Sequence, residues 1–329
     1  MSLLQVNSIS LEEAANTVLK DISFTLAPHR KMAIAGETGS GKSTLLQTIA
    51  GLVQPSAGEI YFQDKKVIGP QDKLLPGHPG IAYLSQHFEL PRFLRVEQVL
   101  RYANKLTAAE AEQLYALCHI GHLRERRTDH LSGGEQQRIA LAKLLLSSPK
   151  LFLLDEPFSN LDTGHKNILK KVIRDMSEKL GITLLLVSHD PLDTLSWADE
   201  ILVMQNGQVQ QRGTPQKIYQ QPVNEYTATL FGNYNLIPAD QAAIFPGSFG
   251  LTTDAKDKNI LVRPEHFKLV SESNSTLTGQ VTQLSYFGSF YEVEVLVANT
   301  RIKVKTVAKN IHKGDTVYIS VVPEDVWYI

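Results

Sequence analysis

Gly36-Glu37-Thr38-Gly39-Ser40-Gly41-Lys42-Ser43 is the stretch on which the fold turns. It fits the pattern G-x-x-x-x-G-K-[ST], and Thr44 follows it. Glycines let the backbone bend tightly enough for successive N–H groups to point at one anion. Gly36, Glu37, Thr38, Gly39, Ser40, Gly41, Lys42, Ser43 and Thr44 are therefore expected to cradle the phosphates of a nucleotide. Lys42 would reach the β- and γ-phosphates, and the Ser43 hydroxyl would ligate Mg2+. The flanks agree with this reading. Lys31 to Ala35 is a short apolar run, predicting a strand, and Lys42 to Ala50 predicts a helix closed by Gly51. A helix that starts at the loop adds its positive N-terminal end to the anion site.

Further along, Ile81 to Leu84, Leu151 to Leu154 and Thr183 to Val187 are continuous apolar runs. Strands of that kind are buried on both faces, which requires a parallel sheet covered by helices. The intervening helices are expected over Val96 to Cys118, Ser132 to Leu146 and Gly164 to Leu180. The fold class is thus an α/β P-loop NTPase. Leu151-Phe152-Leu153-Leu154 delivers Asp155 and Glu156 to the carboxyl edge of that sheet, where ligands of open α/β folds sit. Asp155 is the candidate Mg2+ ligand, and Glu156 the candidate general base for an attacking water. A second cradle lies between the two sites, in Leu131-Ser132-Gly133-Gly134-Glu135-Gln136-Gln137-Arg138. Ser132 with Glu135 also reads as a capping box. One fold of this size needs a single phosphate cradle. The economical account gives Ser132, Gly133 and Gly134 to a nucleotide held by another copy of the chain.

Composition narrows the functional classes. The chain has 329 residues, 43% of them hydrophobic and 20% charged, enough to build about two folded domains. Its 33 Lys+Arg against 34 Asp+Glu leave a net charge of −1, which excludes bulk capture of nucleic acid. The single cysteine, Cys118, fits a reducing cytosol. No apolar run approaches the roughly 20 residues of a membrane helix, so membrane work requires partner subunits.

Taken together, these motifs resemble the ATP-binding subunits of ABC transporters, over roughly residues 3 to 230. The phosphate loop is similar to the family's Walker A, Asp155-Glu156 to its Walker B, and Leu131 to Gln137 to its LSGGQ-type signature. Gln86 in Tyr83-Leu84-Ser85-Gln86 resembles the Q-loop glutamine. Ser159-Asn160-Leu161-Asp162 resembles the D-loop, and His189 in Val187-Ser188-His189-Asp190 resembles the switch histidine. The resemblance implies an ATPase core with a helical subdomain at about 87–146, hydrolysing ATP with Mg2+. It implies that Ser43, Gln86 and Asp155 serve the metal and that Glu156, His189 and Lys42 are catalytic. Gln86 and Asp162 join the nucleotide-binding set. Ser132, Gly133 and Gly134 clasp the γ-phosphate across a head-to-tail homodimer. One departure stands out. Relatives carry an adenine-stacking aromatic where this chain has Glu13, in Leu11-Glu12-Glu13-Ala14-Ala15. Phe88 and Phe93 flank the helical subdomain, either docking onto membrane subunits or packing as core.

Beyond Gly232 the pattern changes to alternation: Tyr291, Val293 and Val295 between Glu292 and Glu294, and Ile302 and Val304 beside Lys303 and Lys305. Turns are expected at Phe287-Gly288, Ala298-Asn299 and Lys313-Gly314-Asp315. The expected division is an ATPase domain over 1–232 and a C-terminal all-β domain over 233–329. Arg263-Pro264-Glu265 and the strand pattern resemble the OB-like TOBE domain that follows the ATPase in importer subunits. The resemblance therefore favours an importer, with an exporter subunit or a soluble ABC ATPase as alternatives. It implies transmembrane permease partners, an indirect link to a solute-binding protein, and a peripheral place on the cytoplasmic face of the membrane.

Overall fold

A computed structural model describes residues 2–13, 16–86, 90–159, 161–244, 258–275 and 277–329. The chain forms two compact units, Met1–Pro215 and Gln216–Ile329. The first runs β1 (Leu4–Glu13), β2 (Asn16–Leu26), β3 (Lys31–Ala35), α1 (Lys42–Ile49), β4 (Ala57–Phe62), β5 (Lys65–Lys66), β6 (Ile81–Leu84), α2 (Val96–Ala103), α3 (Ala108–Leu117) and α4 (Gly133–Leu145). It continues β7 (Leu151–Asp155), α5 (Thr163–Leu180), β8 (Thr183–Val187), α6 (Pro191–Leu195), β9 (Glu200–Gln205) and β10 (Gln208–Gly213).

The main sheet has the order β10-β9-β3-β8-β7-β6. The five strands β9, β3, β8, β7 and β6 are parallel, and β10 pairs antiparallel with β9. Every residue of β7 and β8 is buried, which is why both read as unbroken apolar runs. Alternate side chains serve two cores. Phe152, Leu154, Leu184 and Leu186 pack with Ile139, Leu141, Val172 and Ile173 of α4 and α5. Leu153, Leu185 and Val187 pack on the opposite face with Leu45, Leu46 and Ile49 of α1.

That second core is closed by an antiparallel sheet of order β2-β1-β4-β5, which the sequence reading did not anticipate. Leu4, Val6, Ile9 and Leu11 of β1 point into it. The ladder slips between Val6 and Ile9 and between Ile9 and Leu11, and Ser8 takes a φ of +49°. These bulges break the strict period of two by which a strand is read. A second correction concerns Val96 to Cys118, expected as one helix. The Asn104 backbone is extended there, its Oδ1 accepts the Leu106 N–H at 2.9 Å, and Thr107 restarts the chain as α3 through a capping box with Glu110. No helix among the described residues is long and apolar enough to cross a membrane.

The second unit carries most of α7 (Pro215–Gln220), then α8 (Glu225–Leu230), β11 (Asn235–Ile237), β12 (Ile260–Val262), β13 (Lys268–Val270), β14 (Leu277–Tyr286), β15 (Tyr291–Val297), β16 (Thr300–Thr306), β17 (Thr316–Ser320) and β18 (Val326–Tyr328). Its sheets, β11-β12-β18 and β13-β17-β14-β15-β16, are antiparallel throughout. The three anticipated turns fall at β14–β15, at β15–β16 and just before β17. The unit begins before the expected 232/233 boundary, and Arg263 is the reason. This side chain is 1% exposed and donates to the carbonyls of Tyr219, Ala228, Gly232 and Asn233 at 3.0–3.3 Å. Its guanidinium also lies 4.2 Å from the Tyr219 ring centre. A buried cation needs those acceptors, so α7 and α8 are built into the β domain.

Candidate nucleotide site

The loop after β3 turns into α1 with left-handed glycines at 39 (φ +82°) and 41 (φ +94°). A Cβ on Gly41 would stand 2.8 Å from the Val18 carbonyl, so only glycine lets β2 pass this close to the loop. Lys42 is 6% exposed, and its ammonium donates to the carbonyls of Gly36 (2.8 Å) and Glu37 (2.7 Å) and to Ser40 Oγ (3.3 Å). Burial lowers its pKa against the opposing pull of Glu156, Asp155 and Glu37.

Ser43, on the first turn of α1, donates its hydroxyl to Asp155 Oδ1 at 2.9 Å. Asp155 ends β7 and is 3% exposed; burial raises its pKa, the hydrogen bonds from Tyr83 and Ser43 oppose that, and the Glu156 charge adds to it. Two side chains not anticipated from the sequence complete this corner. Tyr83 Oη donates to Asp155 Oδ2 at 2.9 Å, and Gln47 Nε2 donates to Tyr83 Oη at 3.3 Å.

Glu156 takes a φ of +46°, a conformation that costs a non-glycine residue about 1–3 kcal/mol and gathers at functional sites. Its N–H bonds the Val187 carbonyl at 3.0 Å, and its carbonyl accepts from Ser159 Oγ at 2.8 Å. So held, Glu156 Oε2 lies 3.1 Å from Nδ1 of His189, just beyond the end of β8. The segment after His189 is anchored by a charge cluster also missed in the sequence. Lys166 of α5 reaches Asp190 at 2.7 Å and Asp193 at 3.0 Å, and Lys170 reaches Asp193 at 2.6 Å. Only the i, i+4 spacing of the two lysines hinted at it.

The other anticipated residues are placed as follows. Gln86 is exposed just past the end of β6, the neighbour of β7. Ser132 caps α4, its Oγ accepting the Glu135 N–H, with Gly133 exposed and Gly134 buried behind it. Among the described residues, no hydrogen bond or ion pair joins Ser132, Gly133 or Gly134 to Lys42, Ser43, Asp155, Glu156 or His189. Asp162 spends its carboxylate within the chain: Oδ1 accepts the Gly164 and His165 N–H groups at 2.9 and 3.1 Å, and Oδ2 meets His165 Nδ1 at 2.5 Å. Phe93 is 68% exposed beneath Arg127 rather than packed as core. Glu13 ends β1, whereas Ala14, Ala15, Phe88 and Asn160 lie outside the described residues.

Residues 19–159 match the ABC transporter family, and residues 260–329 match the TOBE domain. The chain is 30% identical to the spermidine/putrescine import ATP-binding protein PotA of Clostridium acetobutylicum, over 98% of this chain and 95% of that protein. It is 31% identical to the sulfate/thiosulfate import ATP-binding protein CysA of Synechocystis sp., over 90% and 85%. Among solved structures, cbiO1 from Clostridium perfringens, part of the ABC transporter complex cbiONQ, aligns with a TM-score of 0.59 at 27% identity. That alignment covers 66% of this chain and 90% of cbiO1. PotA and CysA are both import ATP-binding proteins, and they do not favour the exporter and soluble-ATPase alternatives. Likeness at this level along nearly the whole of both chains means that the protein belongs to the ATP-binding, ATP-hydrolysing subunits of ABC importers.

Proposed function

We propose that the chain hydrolyses ATP at a site shared between two head-to-tail copies and so drives solute import through permease subunits on the cytoplasmic face of the membrane. The observation that carries this reading is the paired contact at the sheet edge, Ser43 with Asp155 and Glu156 with His189. In this reading the N–H groups from Gly36 to Thr44, including Glu37, Thr38, Gly39, Ser40 and Gly41, hold the phosphates, and Lys42 turns its ammonium from the loop carbonyls onto them. Glu156 takes the proton of the attacking water, and His189, bonded to the same carboxylate, fixes its direction and faces the γ-phosphate. A hydroxyl beside a carboxylate is a donor set suited to a hard cation, so Ser43 and Asp155, with Gln86 just past the neighbouring strand, would hold Mg2+. When bound, the ion neutralises charge on the β- and γ-phosphates.

Gly133 favours the shared site. A Cβ there meets nothing within 4 Å and its φ is not left-handed, so nothing within the chain demands glycine at 133. Close approach of a phosphate from a second copy supplies the reason, with Ser132 and Gly134 beside it. In that dimer Asp162, which caps α5, serves the partner's nucleotide through the loop that leads into that helix. Importers named for a polyamine, for ferric ions and for sulfate lie at similar identity to this chain. That fits an energy module whose substrate is selected by partner subunits.

The test is Glu156→Gln. It is expected to bind ATP, to lose turnover and to accumulate as an ATP-bound dimer on size exclusion. Adding Ser132→Arg is expected to abolish that dimer while monomer ATP binding persists. Undiminished turnover in the first variant, or lost nucleotide binding in the second, overturns the assignment.

A further inference from the structure

The corner behind Asp155 has a job beyond packing. Asp155 is 3% exposed, and both its oxygens are engaged: Oδ1 at 2.9 Å from Ser43 Oγ and Oδ2 at 2.9 Å from Tyr83 Oη. The tyrosine has one proton, and it faces the carboxylate. Its lone pairs face Gln47 Nε2, 3.3 Å away on α1. Gln47 therefore orients the phenol, the phenol orients the carboxylate, and three separate elements (α1, β6 and β7) meet at one oxygen. Tyr83 is partly buried against the core that Leu45, Leu46 and Leu153 share, so packing restrains the ring.

We infer that Tyr83 is a positioning residue for the divalent cation: by holding Oδ2 of Asp155 it aims Oδ1 and the Ser43 hydroxyl at the metal, and so sets how tightly Mg2+ binds. The inference rests on the proposed Mg2+ role of Ser43 and Asp155. Without the phenol O–H, a buried carboxylate oxygen loses its donor and the group is free to rotate towards another. Residues that orient metal ligands in this way change metal affinity by about 10–100-fold when removed. Tyr83 also stands on the strand that leads to Gln86, so one hydrogen bond ties that strand to Asp155.

The experiment uses the full chain and Tyr83→Phe, which keeps the ring and removes one oxygen. Binding of a fluorescent ATP analogue is measured first in EDTA and then as Mg2+ is titrated in. Nucleotide affinity in EDTA is expected to match the wild type. The Mg2+ concentration at the midpoint is expected to rise about tenfold or more, with ATPase kcat recovering at saturating Mg2+. Gln47→Leu is expected to shift the midpoint in the same direction by less, and it serves as the test if Tyr83→Phe does not fold. A midpoint that stays at the wild-type value overturns the role of Tyr83. The Asp155→Asn reference separates the two levels of the argument: if that variant also leaves the midpoint unmoved, the Mg2+ assignment itself fails.

Discussion

Gly134→Ala asks whether the signature helix is held in place by its own chain. A Cβ at 134 would stand 2.6, 2.8 and 3.0 Å from Cδ2, Cγ and Cβ of His165. Ordinary carbon contacts are about 3.5–4.0 Å, so the overlap is close to 1 Å on the nearest atom. The ring cannot retreat freely, because Nδ1 is tied to Asp162 Oδ2 and Asp162 caps the same helix, α5. Overpacking of this kind costs about 1–3 kcal/mol, and the better helix propensity of alanine returns up to about 1 kcal/mol. With that return the expected net loss is up to about 2 kcal/mol. For a unit of this size each kcal/mol lowers Tm by about 2–4 °C, so the fall is up to about 8 °C. The assay is a double-mutant cycle by thermal and urea denaturation, with His165→Ala as the second arm. In the His165→Ala background Gly134→Ala is expected to cost nothing. ATPase activity of the double variant stays low if Gly134 also faces a phosphate across the dimer. Equal destabilisation with and without the imidazole would refute the reasoning.

Two further outcomes follow from charge. In Asp190, burial works to raise the pKa, but the Lys166 hydrogen bond, the Leu192 N–H and the charges of Lys166 and Lys170 together outweigh it, leaving the carboxyl below its ordinary 3.8. A depressed carboxyl stabilises the fold above about pH 4 and loses that contribution as pH falls further. Lys166→Met is therefore expected to flatten the acid limb of the urea midpoint, by about 1 kcal/mol or less at these partly exposed groups, and a limb identical to wild type contradicts the pairing. In the second unit, Arg263→Lys is expected to cost about 3 kcal/mol or more, because one ammonium cannot span the carbonyls of Tyr219, Ala228 and Gly232. Limited proteolysis within 216–329 and chemical denaturation read it, and wild-type resistance counts against Arg263 as the anchor.

The nucleotide site was legible because its chemistry is local. Lys42 and Ser43 follow their glycines directly, Asp155 and Glu156 end an apolar run, and His189 ends another. What escaped reading depends on contacts distant in sequence. Tyr83 and Asp155 are 72 residues apart, and an aromatic in a buried strand looks the same whether or not its hydroxyl has work. Asp193 and Lys170 look like an ordinary solvated helix face until α5 is laid against the segment after β8. The β1–β2 sheet hid behind its bulges. Arg263 reads in the sequence as part of a motif, but its four carbonyl partners on α7, α8 and the turn beyond are visible only in three dimensions.

The strand order of the main sheet has a mechanical consequence. β6 stands at the end of the row, laddered to β7 alone, and it is four residues long. Shifting β3, β8 or β7 breaks ladders on two sides; shifting β6 disturbs one. The strand leading to Gln86 is thus among the most compliant members of the sheet, while the strand bearing Asp155 is among the stiffest. The β6–β7 ladder is the one attachment of β6 within the sheet, and the Tyr83–Asp155 hydrogen bond is a side-chain tie across that same seam.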